Sequence, residues 1–199
     1  MDSRAAQWNE RYAGSEQLWS PGPNTLVADL VTPLSAGRAV DLGAGEGRHA
    51  IWLAQRGWSV HAVDFAEVGI QRGRQSLARI ESEHDVAGSV SWAVEDAVTW
   101  SPEESVDLVL IAFLHVPQDV ISRAGTWLRP GGRLLVVGHA LRNLTEGVGG
   151  PSDPALLHTP QSLNQAAISG GLTVQRCGEV LRETEHGTAI DVVLLAQSP

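Results

Sequence analysis

Asp41-Leu42-Gly43-Ala44-Gly45-Glu46-Gly47-Arg48 places one acid ahead of three glycines at alternate positions, and no other stretch of the chain carries clearer chemistry. Arg38-Ala39-Val40 leads into it as a short apolar strand, and His49 to Arg56 follows with helical spacing of its apolar residues. Glycine tolerates positive backbone angles and lets another molecule approach the main chain without meeting a Cβ. The helix start beyond it offers unpaired N–H groups and the positive end of a dipole. Such a loop is a seat for a small polar ligand. The dinucleotide fingerprint Gly-x-Gly-x-x-Gly fails here, because its sixth position is Arg48 and Gly47 comes one place early. Asp41, just before the first glycine, repels phosphate and suits an ammonium group, so the expected ligand carries positive charge.

Other candidates lie downstream. Asp64 closes the apolar run from Trp58 to Val63, about twenty residues after Gly43, the interval at which a βαβ unit delivers a carboxylate to a ribose diol. Val106 to Ala112 is the most apolar run, as a central parallel strand covered on both faces should be. It delivers Phe113-Leu114-His115-Val116-Pro117 to the carboxyl edge, where open α/β folds bind ligands. His115 is the leading acid–base candidate because imidazole titrates near neutrality; the plain alternative is a loop histidine that only touches cofactor or solvent. The long connection from His139 to Pro154 is uncommon in a compact domain unless it has a function. It is expected to wall the acceptor, with His139 and Arg142 as polar contacts and Arg142 suited to an anion; a connection without chemistry is the alternative. Trp19, in the proline-stiffened segment Leu18 to Asn24, is expected either to stack near the ligand as a lid or to anchor the segment by packing. Cys177 has no basic neighbourhood to activate its thiol and reads as structural. No metal is expected.

Positioning these residues takes alternating strands and helices. Residues 2–13, 25–34, 66–82 and about 118–128 have helical patterns, and 89–94, 106–112 and 134–138 read as strands. Thr159-Pro160 opens a last helix, and 172–181 with 188–196 form a terminal hairpin. Arg72, Arg74 and Arg79 fall on the solvated face of helix 66–82, which Gly69 and Gly73 weaken. Pro130-Gly131-Gly132 is a tight reversal from helix into strand. The 199 residues make about one domain, divided by role into N-terminal helices with a lid (1–34), a ligand-binding core (38–138) and an acceptor-side loop with the hairpin (139–199). Fourteen Lys and Arg against 23 Asp and Glu, a formal charge of −9, argue against a nucleic-acid partner, whose phosphates need clustered basic residues. A single cysteine fits a reducing compartment, and the polar opening and the lack of a long apolar run argue against a leader or a membrane span. A cytoplasmic protein, monomer or homodimer, is the expectation.

The pattern acid-x-Gly-x-Gly-x-Gly from Asp41 to Gly47, then Asp64, Asp96 and Leu128-x-Pro130-Gly131-Gly132 in that order, resembles the class I methyltransferases that use S-adenosylmethionine (SAM) over residues 38–138. With Trp8 and Tyr12 near the N-terminus, the loop is similar to the tellurite-resistance-type (TehB-like) branch, small enzymes acting on small nucleophiles. The resemblance implies an α/β, Rossmann-like fold: a seven-stranded, mostly parallel sheet with an antiparallel last strand and helices on both faces. It implies cofactor contacts from Asp41, Gly43, Ala44, Gly45 and Gly47, with Asp64 on the ribose, Phe65 on the adenine face, Asp96 receiving the adenine amine, and Ala97 and Ala112 nearby. Asp96 as a turn cap is the alternative. It also implies methyl transfer to a small-molecule acceptor such as a thiol or chalcogen oxyanion, with His115 or His139 as base if the acceptor is neutral. The rival classes are a SAM-binding protein without transfer, a methylase of protein or RNA, and a nicotinamide-dependent oxidoreductase. The last leaves Asp41 and Asp96 unexplained.

Overall fold

The computed structural model describes residues 3–14 and 22–199. Seven strands, β1 (Arg38–Leu42), β2 (Ser59–Asp64), β3 (Ser89–Val94), β4 (Val106–Ala112), β5 (Leu128–His139), β6 (Thr173–Thr184) and β7 (Gly187–Gln197), form one sheet in the order β3-β2-β1-β4-β5-β7-β6. β1 to β3 pair in parallel, as do β4 and β5, whereas β7 is antiparallel to both β5 and β6. The expected Rossmann-like sheet, mostly parallel with an antiparallel last strand, is the observed one. The backbone groups into two compact units, residues 1–100 and 101–199.

In the first unit, α1 (Ser3–Ala13) and α2 (Thr25–Val31) precede the glycine loop, α3 (Arg48–Gln55) follows it, and α4 (Glu67–Glu83) links β2 to β3. Ala39, Val40 and Leu42 of β1 and Val60, Ala62 and Val63 of β2 are fully buried, which is why these strands read as near-continuous apolar runs. Helix α1 turns Ala5 and Tyr12 inward, and its Asn9 Oδ1 accepts from Val68 N at 2.9 Å, tying it to the start of α4.

The second unit contains α5 (Gln118–Gly125), α6 (Asn143–Glu146) and α7 (Pro160–Ser169). Thr159 caps α7 reciprocally with Ser162, and Pro160 occupies the first helical turn, where its missing N–H costs nothing. The Pro-Gly-Gly reversal is a more local event than the sequence suggests: Leu128 already pairs with Val106, and residues 129–132 loop out before Arg133 meets Leu108. Gly131, at φ +81°, turns that excursion. Among the described residues no helix is long and apolar enough to cross a membrane.

Candidate functional site

The glycine loop and its acids lie in the first unit. Gly43, Gly45 and Gly47 take φ of +79°, +56° and +75°, so the alternate spacing serves a backbone that other residues adopt only under strain. Gly43 and Ala44 donate their N–H groups to the Val63 carbonyl at 2.8 and 3.0 Å. Asp64 latches the turn: Oδ2 accepts from Gly45 N at 2.9 Å and Oδ1 from Ala66 N at 2.8 Å. Burial raises the Asp64 pKa, and these two backbone bonds work against that rise. Each oxygen keeps a second lone pair for a ligand hydroxyl.

Two features of α4 differ from expectation. Gly69 and Gly73 are places of close approach rather than weak points: a Cβ on Gly69 would lie 3.1 Å from the Gly45 carbonyl oxygen, and one on Gly73 would lie 2.6 Å from the Trp92 ring. The same ring would meet a Cβ on Gly47 at 2.3 Å. Trp92 of β3 is therefore clamped between loop and helix, a role that its alternating strand pattern does not announce. Arg72 is not a solvated-face residue either, for its Nη1 reaches Glu46 Oε1 in the loop at 3.0 Å. Arg74 Nη2 donates to the Trp92 carbonyl at 3.2 Å.

Asp41 is 1% exposed. The Ala50 N–H of α3 hydrogen-bonds its carboxylate, while Oδ2 is buried with no hydrogen-bond partner among the described residues. Burial pushes its pKa up to about 7, and the Ala50 bond and nearby Arg48 only partly oppose this. A buried carboxylate oxygen without a partner is costly, and a cation or an N–H donor would satisfy it. The ammonium of SAM has that character, and the Cβ-free glycines leave the backbone open to it, so the residues present fit this cofactor. His49, which the sequence reading passed over, is a structural tie: its Nε2 accepts from Asn24 N at 3.2 Å, and Asn24 in turn caps α2. Burial drives its pKa down to about 3, so it stays neutral. Its apolar neighbours gave no signal of this.

Asp96 is a turn cap, the alternative reading, and its second oxygen meets a cation of α1. Oδ1 accepts from Val98 N at 2.9 Å and caps its own turn, while Oδ2 lies 3.5 Å from Arg4 Nη2 of α1. The Arg4 guanidinium also stands 5.9 Å from the Phe65 ring centroid, so one cation engages both residues expected to hold adenine. Ala97 is buried beside Asp96. Trp19 lies outside the described residues.

In the second unit, Ala112 ends β4 in a buried position, and Phe113 follows at φ +57°, the one described non-glycine residue with a positive φ. His115 is held neutral: burial first, then His139 and His158, lower its pKa to about 4. The near-neutral titration that recommended it as a base is thus absent, and its partnerless Nε2 suits a hydrogen bond rather than proton uptake. His139 ends β5 opposite Asp191 of β7. Arg142 does not await an anion; Nη1 and Nε pair with Glu146 and Glu179, both at 2.8 Å. Asn143, also unforeseen, orders the connection: buried, it accepts from Ile190 N at 2.7 Å and donates to the Gly149 carbonyl at 2.8 Å. Cys177 is structural as expected, its Sγ 3.1 Å from the Pro160 carbonyl and its pKa raised by burial.

This sheet order, with an acid under a glycine loop and a second acid closing β2, is that of the Rossmann-like methyltransferase fold. Residues 39–132 match the family described as "Methyltransferase domain". The chain is 29% identical over 111 residues to the ribosomal RNA small subunit methyltransferase C of Alcanivorax borkumensis, covering 51% of this chain and 32% of that protein. It is 30% identical over 147 residues to the ubiquinone biosynthesis O-methyltransferase of Xylella fastidiosa, covering 67% of this chain and 58% of that one. It thus spans less than two thirds of the length of either. Among solved structures, TehB from Haemophilus influenzae superposes with a TM-score of 0.71 at 20% identity, over 89% of this chain and 63% of that one. At that identity the likeness speaks for the fold.

Proposed function

We propose that the protein transfers the methyl group of SAM to a small-molecule nucleophile by in-line displacement. The observation that carries the reading is the buried, partnerless Oδ2 of Asp41 beneath a glycine-rich loop, with the Asp64 carboxylate latched to the same loop. When bound, SAM supplies a methyl group already activated by the sulfonium. The protein's own contribution is to hold the ammonium at Asp41, the ribose at Asp64 and the adenine near Phe65 and Asp96, and to orient the acceptor. Positioning of this kind supplies several kcal/mol of barrier reduction, on the order of 7 or more in favourable cases.

A small acceptor is supported by the acidic balance of the chain, −9 overall, and by the likeness to an O-methyltransferase named for ubiquinone biosynthesis. In the TehB-like branch the acceptor would be a thiolate or chalcogen oxyanion, which needs no base. The test is calorimetric titration with S-adenosylhomocysteine (SAH) of the wild type and of Asp64→Ala. Micromolar binding, weakened at least tenfold by the substitution, is the expected result; a folded wild type that does not bind SAH refutes the reading.

A further inference from the structure

The second unit holds a polar cluster for which binding the cofactor has no use. Asp191 of β7 is 2% exposed and is gripped by Arg182 of β6, whose Nε and Nη2 lie 2.5 and 3.1 Å from its two oxygens. Its Oδ1 lies 3.4 Å from Nδ1 of His139. Burial alone would raise the Asp191 pKa, but His139 and Arg182 outweigh it and hold the group ionised. The His115 ring lies nearly parallel to that of His139, 11° between planes and 6.1 Å between centroids. Phe113 lies 5.2 Å from His139, with the Arg182 guanidinium 5.5 Å from the Phe113 centroid. His158 runs alongside, its N–H 3.5 Å from the His139 carbonyl.

Three points single this cluster out. Buried imidazole nitrogens are normally paired, yet His115 Nε2 and His158 Nε2 are both buried without a hydrogen-bond partner among the described residues. Phe113 holds a left-handed backbone, and strain of that kind concentrates at functional sites. Gly150, at φ +80°, brings the 139–154 connection so close that a Cβ there would lie 2.9 Å from the His139 ring. Of the nearby cations, Arg142 and Arg182 are each paired with carboxylates, so the cluster favours a neutral molecule over an oxyanion.

We propose that this cluster is the acceptor site and that the acceptor is a planar molecule bearing a hydroxyl, a phenol or enol, bound against Phe113, His115 and His139 with its O–H directed to His139. This rests on the methyl-transfer reading and narrows it. The hydroxyl proton moves to Nε2 of His139 while the oxygen keeps the pair that bonds the incoming methyl carbon; the old C–S pair stays on sulfur. Asp191, held by Arg182, is a positioning residue that fixes the His139 ring, as a carboxylate does behind a histidine base. The neutral nitrogens of His115 and His158 take a second polar substituent of the same ring. The groups facing His139 are thus His115, His158, Asp191 and Arg182.

The test is absorbance titration of 4-nitrophenol, whose phenolate absorbs in the visible, into SAH-saturated protein. The wild type should bind the probe and hold at least about threefold more of it as phenolate than free solution does at the same pH. His139→Gln should still bind the probe, read by competition or tryptophan quenching, but lose the phenolate excess. Asp191→Asn should reduce it while SAH affinity stays unchanged, which a merely structural role would not predict. With an accepted phenol, His139→Gln should lower kcat by about a hundredfold or more with a smaller change in KM. Failure of the wild type to bind the probe, or an undiminished phenolate signal in His139→Gln, overturns the proposal. Intact SAH binding in those cases leaves methyl transfer standing, whereas absent SAH binding removes the broader reading itself.

Discussion

Replacing Asp41 by Asn should stabilise the ligand-free protein while weakening its hold on the cofactor. The carboxylate is buried, one of its oxygens has no partner, and its pKa stands at about 7 instead of 3.8. That rise of about three units, at about 1.4 kcal/mol each, means that ionising Asp41 in the folded chain costs about 4 kcal/mol more than in the unfolded one. Between the ordinary carboxylate value and about 7, the folded protein keeps a proton that the unfolded chain has released. Stability therefore falls as pH rises through that window and levels off above it. Asn has the same shape, still accepts from Ala50, and has no charge to bury.

The expected result is a pH-dependent gap between variant and wild type. Asp41→Asn should be more stable by roughly 2–4 kcal/mol at about pH 8.5, and the gap should shrink by about 2–3 kcal/mol on going down to about pH 5. For a chain of this length 1 kcal/mol moves Tm by about 2–4 °C, so paired melts across that range resolve the effect. SAH affinity, measured on the same samples, should drop at least tenfold. A gap that does not change with pH, or a variant less stable than wild type at high pH, would refute the assignment of Asp41 as an uncompensated acid reserved for a cation.

Two further outcomes follow from the same loop. Gly73→Ala should destabilise the protein by about 1–3 kcal/mol, although alanine gains about 1 kcal/mol in helix propensity, because the new methyl meets the Trp92 ring at 2.6 Å and the Glu46 carbonyl at 3.0 Å; urea melts together with SAH titration check it, and a stabilised variant refutes it. Arg4→Ala should tighten SAH binding by up to about fivefold, since an exposed ion pair is worth at most about 1 kcal/mol and Arg4 engages the very groups expected to hold adenine; calorimetry showing weaker binding would make Arg4 a cofactor contact instead.

What the sequence made legible was whatever rests on local rules. Strands β3 and β4 stand where period and apolarity put them, and the loop glycines take the positive φ that their spacing demanded. Asp41 and Asp64 were legible for the same reason, as each closes or precedes a turn whose chemistry restricts the residue types. Contacts between distant segments were not. Nothing in Gly73 tells that Trp92, nineteen positions on, needs the missing Cβ, nor in Arg72 that Glu46 waits for it. His115 shows the limit most clearly: its place at the end of β4 was readable, but its protonation was not, because burial and two other histidines push its pKa to about 4. A histidine's position is written in the register of its strand, whereas its charge is set by whatever packs around it. The same holds for His139, placed by β5 but given its chemistry by Asp191, which reaches it from a strand some fifty residues later and paired in the opposite sense. The acceptor chemistry therefore depends on the β5–β7 register. A shift of one residue there would turn Asp191 to the other face of the sheet and leave His139 without its carboxylate, while the cofactor loop in the first unit kept every contact described for it.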